Sequence, residues 1–231
     1  MYSEIEILYE DDRLIAINKP HGLMVHRSRI AMDVEDFALQ RVRNYVGEYV
    51  HPVHRLDRKT SGVLLFAKDR DTLKIMHQCF MEKEVNKEYI AIVRGFTDDS
   101  GVIDYAIGEG EEKKDAITEF RTLQRYEIDL PFGKWATSRY SLLSIKPLSG
   151  RFHQIRKHMA HIFHPIIGDR PHGCNKQNRL WKEKFEMTTM MLYARKLELP
   201  YDGCVLVIEA GMSEEMKRVI GMLEEGSVGE V

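Results

Sequence analysis

The segment His54-Arg55-Leu56-Asp57-Arg58-Lys59-Thr60-Ser61-Gly62 places a carboxylate among cations and runs directly into the apolar stretch Val63-Leu64-Leu65-Phe66-Ala67. A carboxylate at the mouth of a buried strand is costly to desolvate unless donors or cations accompany it, and Arg55, Arg58 and Lys59 do so here. An ionised Asp57 can attack as a nucleophile or remove a proton. Taken alone, the same segment also reads as a charged surface turn.

Histidines offer a second chemistry. His153, His158, His161 and His164 crowd one segment, the last three at a spacing of three. Arg156 and Lys157 in that segment oppose a divalent cation, and no H-E-x-x-H pattern or carboxylate partner is present, so no metal site is expected. A phosphate-cradling loop would need G-x-G-x-x-G or a P-loop, whereas Gly108 and Gly110 lie among acids. A serine hydrolase would need a G-x-S-x-G elbow, and a glycosidase a second carboxylate at a distance that sequence does not give. Cys79, Cys174 and Cys204 are far apart, which points away from a disulfide framework or structural zinc and towards a reducing cytoplasm.

These groups need elements to position them. Ile5–Tyr9 and Leu14–Ile17 read as a hairpin around the turn Asp11-Asp12-Arg13, and Lys19-Pro20-His21-Gly22 breaks its second strand. Apolar spacing predicts a helix over Asp33–Val46 with Asp33 as N-cap. A second helix is capped by Asp69, with Leu73, Met76, Cys79 and Phe80 inward. Strands are predicted at Lys87–Val93, Gly101–Ile107, Ala116–Leu123 and Trp135–Ile145. A third helix starts near Gly150 and is ended by Pro165, and the polar residues 168–184 read as a long loop or lid. Leu192–Leu199 and Val205–Ile208 form a returning hairpin, and Ser213 caps a final helix. The pattern is a mixed α+β fold with a mainly antiparallel sheet and flanking helices.

At 231 residues with 43% hydrophobic residues, the chain suits one large domain or two small ones. A net charge of -2 argues against a non-specific coat for nucleic acid. Its distribution is uneven, because Lys146–Lys184 carries nine Lys or Arg against two acids. Met1–Glu10 alternates apolar and acidic residues, and no stretch approaches membrane-spanning length, so a soluble, unexported protein without membrane contact is expected.

Four segments together resemble, in order, the motifs of the RluA-type pseudouridine synthases. They are Lys19-Pro20-x-Gly22-Leu23-x-Val25-His26; His54-Arg55-Leu56-Asp57-x-x-Thr60-Ser61-Gly62; Lys87-x-Tyr89; and Gly150-Arg151-x-His153-Gln154-Ile155-Arg156-x-His158. Further on, His164-Pro165-Ile166-Ile167-Gly168-Asp169, His172-Gly173 and Gln177-Asn178-Arg179 are similar to the branch that modifies uridine 65 of tRNA. The resemblance implies one catalytic domain over 1–231 without an N-terminal S4 domain, a cleft for RNA, no cofactor and a monomer. Two alternatives stand beside tRNA modification: a 23S ribosomal RNA target within the same family, and a catalytically silent RNA-binding module.

By that resemblance Asp57 is the catalytic carboxylate, Arg156 its partner through a charge-assisted hydrogen bond, and Tyr89 the ring that stacks on the extruded uracil. Arg55 is the candidate to fill the space left by the flipped nucleotide, and His54 to support the same contact. Lys19, Arg27, Arg151, His153, Lys157, Arg170, Lys176 and Arg179 are candidates for contact with the RNA.

Overall fold

Residues 5–26, 36–108 and 112–227 are described by the structure, a computed structural model. Within them the chain forms ten strands and five helices in a mixed, mainly antiparallel α+β fold. It separates into two compact units, Met1–Lys87 with Ala194–Gly211, and Glu88–Tyr193 with Met212–Val231.

In the first unit, β1 (Glu6–Glu10) and β2 (Leu14–Lys19) form the expected antiparallel hairpin. Its turn is closed by Asp11, whose carboxylate accepts from the backbone N–H of Arg13 at 2.8 Å and of Leu14 at 2.7 Å. Burial pushes Asp11 up, but donation from the Tyr201 and Tyr9 hydroxyls and from these backbone groups outweighs it and holds the carboxyl at about 2.

β2 pairs antiparallel with β4 (Ser61–Ala67), which has β3 (His51–Pro52) along part of its length. β4 is buried at every position, as its unbroken apolar run requires. β9 (Leu192–Tyr201) lies beside β4 and is paired antiparallel with β10 (Cys204–Glu209). Gly62 allows that approach: at φ +110, an added Cβ would stand 2.1 Å from the Ala194 carbonyl oxygen.

Two helices complete this unit. α2 (Arg70–Met81) is capped as expected, the Asp69 carboxylate accepting from the N–H groups of Asp71 and Thr72. α1 spans Ala38–Val46, shorter than expected, with Phe37 in an extended conformation before it. The expected cap, Asp33, lies outside the described residues.

In the second unit the strand order is β5 (Asn86–Arg94), β8 (Ser138–Pro147), β7 (Ile117–Ile128) and β6 (Ser100–Asp104), all neighbours antiparallel. α3 (Gln154–His161) packs on β7 and β8, while α5 (Glu214–Glu225), capped by Ser213 as expected, packs on β7.

The stretch 168–184 is not the loop that its polarity predicts, because α4 occupies Asn175–Phe185. Its buried stripe consists only of Gln177 and Trp181. Two inward residues four apart satisfy a helix when one is a tryptophan, but they leave too thin a hydrophobic period to be seen in the sequence.

Candidate active site

Asp57 stands on the connection into β4, half-buried, and its carbonyl closes a turn by accepting from the Thr60 N–H at 3.0 Å. The adjoining Arg58 ties that turn to the one after β2. Arg58 Nε donates to the Gly22 carbonyl at 3.0 Å, and the Arg58 carbonyl accepts from the Gly22 N–H at 2.9 Å.

Lys19 completes the same junction and corrects the sequence expectation for it. Its side chain is fully buried, and Nζ donates to the carbonyls of Leu23 at 2.8 Å, Pro20 at 3.0 Å and Arg58 at 3.2 Å. An ammonium enclosed by three carbonyls has no face left for a phosphate. Burial lowers its pKa to about 7, while the charge of Asp57 opposes that fall.

His54 also turns inward. Its ring stacks against Phe80 at 5.5 Å, and Nε2 accepts from the Leu65 N–H of β4 at 3.2 Å. Burial first, and the charge of Lys87 second, lower its pKa to about 4, which keeps the imidazole neutral as that bond requires. His54 therefore anchors the segment preceding Asp57 to the strand that follows it. Arg55 and Arg58 are exposed, and Arg27 lies outside the described residues.

In the second unit, Tyr89 is half-buried on β5, opposite Ile145 of β8. Arg156 lies in the first turn of α3, and the helix start explains its placement. Gln154 is buried and locks that start to β7: it accepts from Ser149 Oγ at 2.7 Å and the Arg151 N–H at 3.0 Å, and donates to the Ile117 carbonyl at 2.9 Å. Arg156 then makes a buried bidentate pair with Asp169, Nε–Oδ2 2.8 Å and Nη2–Oδ1 2.7 Å.

Asp169 has a role that sequence reasoning did not assign. Its backbone is fixed by α4, where Asn178 Nδ2 donates to the Asp169 carbonyl at 2.7 Å and Asn178 Oδ1 accepts from the Gly168 N–H at 2.9 Å. Gly168, at φ +82, admits the close passage of Thr189, whose carbonyl would meet an added Cβ at 2.4 Å. The carboxylate in Gly-Asp was the available signal, since an acid inside a basic, apolar-flanked segment needs a cationic partner.

The remaining basic candidates fall into two groups. Arg151, Arg170, Lys176 and Arg179 are exposed, Arg179 with Glu183 at 3.7 Å. Lys157 is half-buried with its ammonium 5.7 Å from the Phe152 ring centre. His153, in the left-handed conformation before α3, places Nδ1 2.9 Å from His172 Nε2, so the two imidazoles share one hydrogen bond. His158 donates from Nε2 to the Tyr105 carbonyl at 2.9 Å. No cluster of His, Cys, Asp or Glu among the described residues could hold a metal ion.

A family model described as RNA pseudouridylate synthase matches residues 13–161. The chain is 40% identical to a Vibrio cholerae protein named tRNA pseudouridine synthase C, over 96% of this chain and 95% of that one. A Haemophilus ducreyi protein of the same name is 43% identical over 86% of each chain. Among solved structures, Human RNA Pseudouridylate Synthase Domain Containing 4 shares the fold with a TM-score of 0.73 at 24% identity, covering 95% of this chain and 93% of that one. Human RNA Pseudouridylate Synthase Domain Containing 1 gives 0.71 at 22% identity, covering 98% and 97%. With its motif segments in order, its mainly antiparallel α+β fold and this breadth of identity, the chain belongs to the RluA-type RNA pseudouridylate synthases and is an isomerase of uridine in RNA.

Proposed function

We propose that this protein converts uridine 65 of tRNA to pseudouridine, acting as a cytoplasmic monomer without a cofactor. The observation that carries the tRNA reading is its identity, at 40% over nearly the whole chain, to proteins named tRNA pseudouridine synthase C. The similarity of residues 164–179 to that branch supports it further.

In the proposed reaction the bond between ribose C1' and uracil N1 breaks, the base turns, and C5 takes the place of N1. Asp57 is the carboxylate that acts on the ribose, as nucleophile or as base. Its support is the tied turn that follows it, since Lys19 and Gly22 hold Arg58 and the Asp57 carbonyl accepts from the Thr60 N–H. Tyr89 holds the detached uracil by its ring, and its hydroxyl assists removal of the C5 proton. Arg156 provides the cationic partner, and Asp169 keeps its guanidinium plane in one orientation. Arg55 fills the place of the extruded nucleotide, and Arg151, Lys157, Arg170, Lys176 and Arg179 bind the RNA backbone.

Two measurements test this. Purified Asp57→Asn should bind an unmodified tRNA transcript as the wild type does and form no pseudouridine; turnover by this variant would overturn the role of Asp57. Mapping pseudouridines in a strain lacking the protein should show loss at tRNA position 65. Loss from 23S ribosomal RNA with tRNA intact would replace the substrate.

A further inference from the structure

None of the residues assigned above to catalysis lines a cavity of about 200 Å³ in the second unit. One water needs only roughly 10–15 Å³, so this space admits a planar ring. Its wall is aromatic and cationic. Phe132 and Trp135 close a tight turn by exchanging backbone hydrogen bonds at 3.0 and 3.2 Å, and Trp135 leaves 63% of its surface in solvent. Arg94 lies 5.1 Å from the Phe132 ring centre, Arg139 borders the space with its Nε 3.1 Å from Glu127 Oε2, and Lys134, beside the wall, lies 5.0 Å from the Trp135 ring centre.

One group on this wall is unsatisfied. Gln177 is only 2% exposed and donates from Nε2 to the Tyr140 hydroxyl at 2.9 Å, which also accepts from Trp181 Nε1 at 2.9 Å. The Gln177 carboxamide oxygen is buried and has no hydrogen-bond partner among the described residues. A buried acceptor left unpaired is costly, and a ligand N–H that reaches it removes that cost. An exposed indole, guanidinium groups and one buried amide acceptor together match an unpaired nucleotide: a face to stack on, charge for phosphate, and an acceptor for the base edge.

We propose that this cavity is an accessory subsite that holds one unpaired nucleotide of the RNA substrate. The base stacks on Trp135 and donates an N–H to Gln177 Oε1, and its phosphates meet Arg94 and Arg139. Every nucleobase carries an N–H donor on its pairing edge, so the subsite selects an unpaired base and not a particular one. The inference rests on RNA as the substrate and concerns affinity, not chemistry.

Trp135 is exposed, so replacing it leaves the core intact. In the Asp57→Asn background, Trp135→Ala should weaken binding of an unmodified tRNA transcript about tenfold, the loss of one base stack. Trp135→Phe should retain most of the affinity. In the otherwise wild-type enzyme, Trp135→Ala should raise KM by the same factor and leave kcat unchanged. The chain has two tryptophans, and Trp181 is buried. RNA should therefore quench the emission of the Asp57→Asn protein, and much less that of Asp57→Asn with Trp135→Phe.

Equal tRNA affinity with and without Trp135, or emission unchanged at saturating RNA, would overturn the subsite. The isomerase reading is separable, because pseudouridine formation by the wild type on the same transcript tests it alone. Binding and quenching without turnover would leave the subsite standing and remove the activity.

Discussion

Arg156 and Asp169 hold each other through two hydrogen bonds of 2.7 and 2.8 Å, with side chains 4% and 1% exposed. The guanidinium brings a fixed charge into a region where water cannot screen it, and the carboxylate both neutralises it and sets its plane. Removing the Asp169 carboxylate takes both of these bonds from a buried guanidinium. Asp169→Ala is thus expected to cost about 3–5 kcal/mol, which at roughly 2–4 °C per kcal/mol for a chain of this size is a large fall in Tm. Pseudouridine formation should fall further than stability alone explains. A variant with wild-type Tm and turnover would refute the positioning role.

Lys19 links stability to pH in a direction that follows from its burial. Burial lowers the group from 10.5 to about 7, with Asp57 resisting, so between these values the unfolded chain binds a proton that the folded chain lacks. The stability contributed by this titration is fully present above 10.5 and is lost as pH falls through about 7. The difference in unfolding free energy between wild type and Lys19→Met should therefore grow as pH rises from 7 towards 10. Denaturant melts across that range check this, and a flat difference would exclude it.

For His54 the shift is also downward, from 6.5 to about 4, chiefly through burial. Its contribution is present above 6.5 and declines as pH falls through about 4. In an NMR titration its ring should stay neutral where exposed histidines have charged. His54→Ala removes the acceptor of the Leu65 N–H and should cost about 1–3 kcal/mol at neutral pH. Affinity for the tRNA transcript should be little changed; a loss matching that of Arg55→Ala would give His54 an RNA contact after all.

The exposed cations Arg151, Arg170, Lys176 and Arg179 should behave differently from these inward groups. Each one that meets a phosphate should, on substitution by Ala, reduce the slope of log affinity against log salt by about one unit or less. Tm should stay unchanged. A side chain whose loss leaves the slope intact is not a phosphate contact.

Where local rules govern, sequence and structure agree closely. The β1–β2 turn, the Asp69 and Ser213 caps and the buried run of β4 depend on neighbours a few residues away, so side-chain type and period suffice. α4 and the start of α1 depart from expectation where the apolar signal is thin or the backbone before the helix is extended. Among the candidates, residue type singled out Asp57, and the resemblance to the family added Tyr89 and Arg156. Residue type could not tell an outward cation from an inward one.

The segment His54–Gly62 shows where that boundary runs. By itself the sequence determined that a carboxylate among cations leads into a buried strand, and that the accompanying motifs stand in the order of the pseudouridine synthases. Only the tertiary structure decided that Lys19 points into three carbonyls, that His54 accepts from the strand it precedes, and that Arg156 is paired with Asp169. Each depends on which polar group, near or distant in the chain, fills a buried donor's or acceptor's need, and that choice is made by packing, beyond the reach of residue type or spacing.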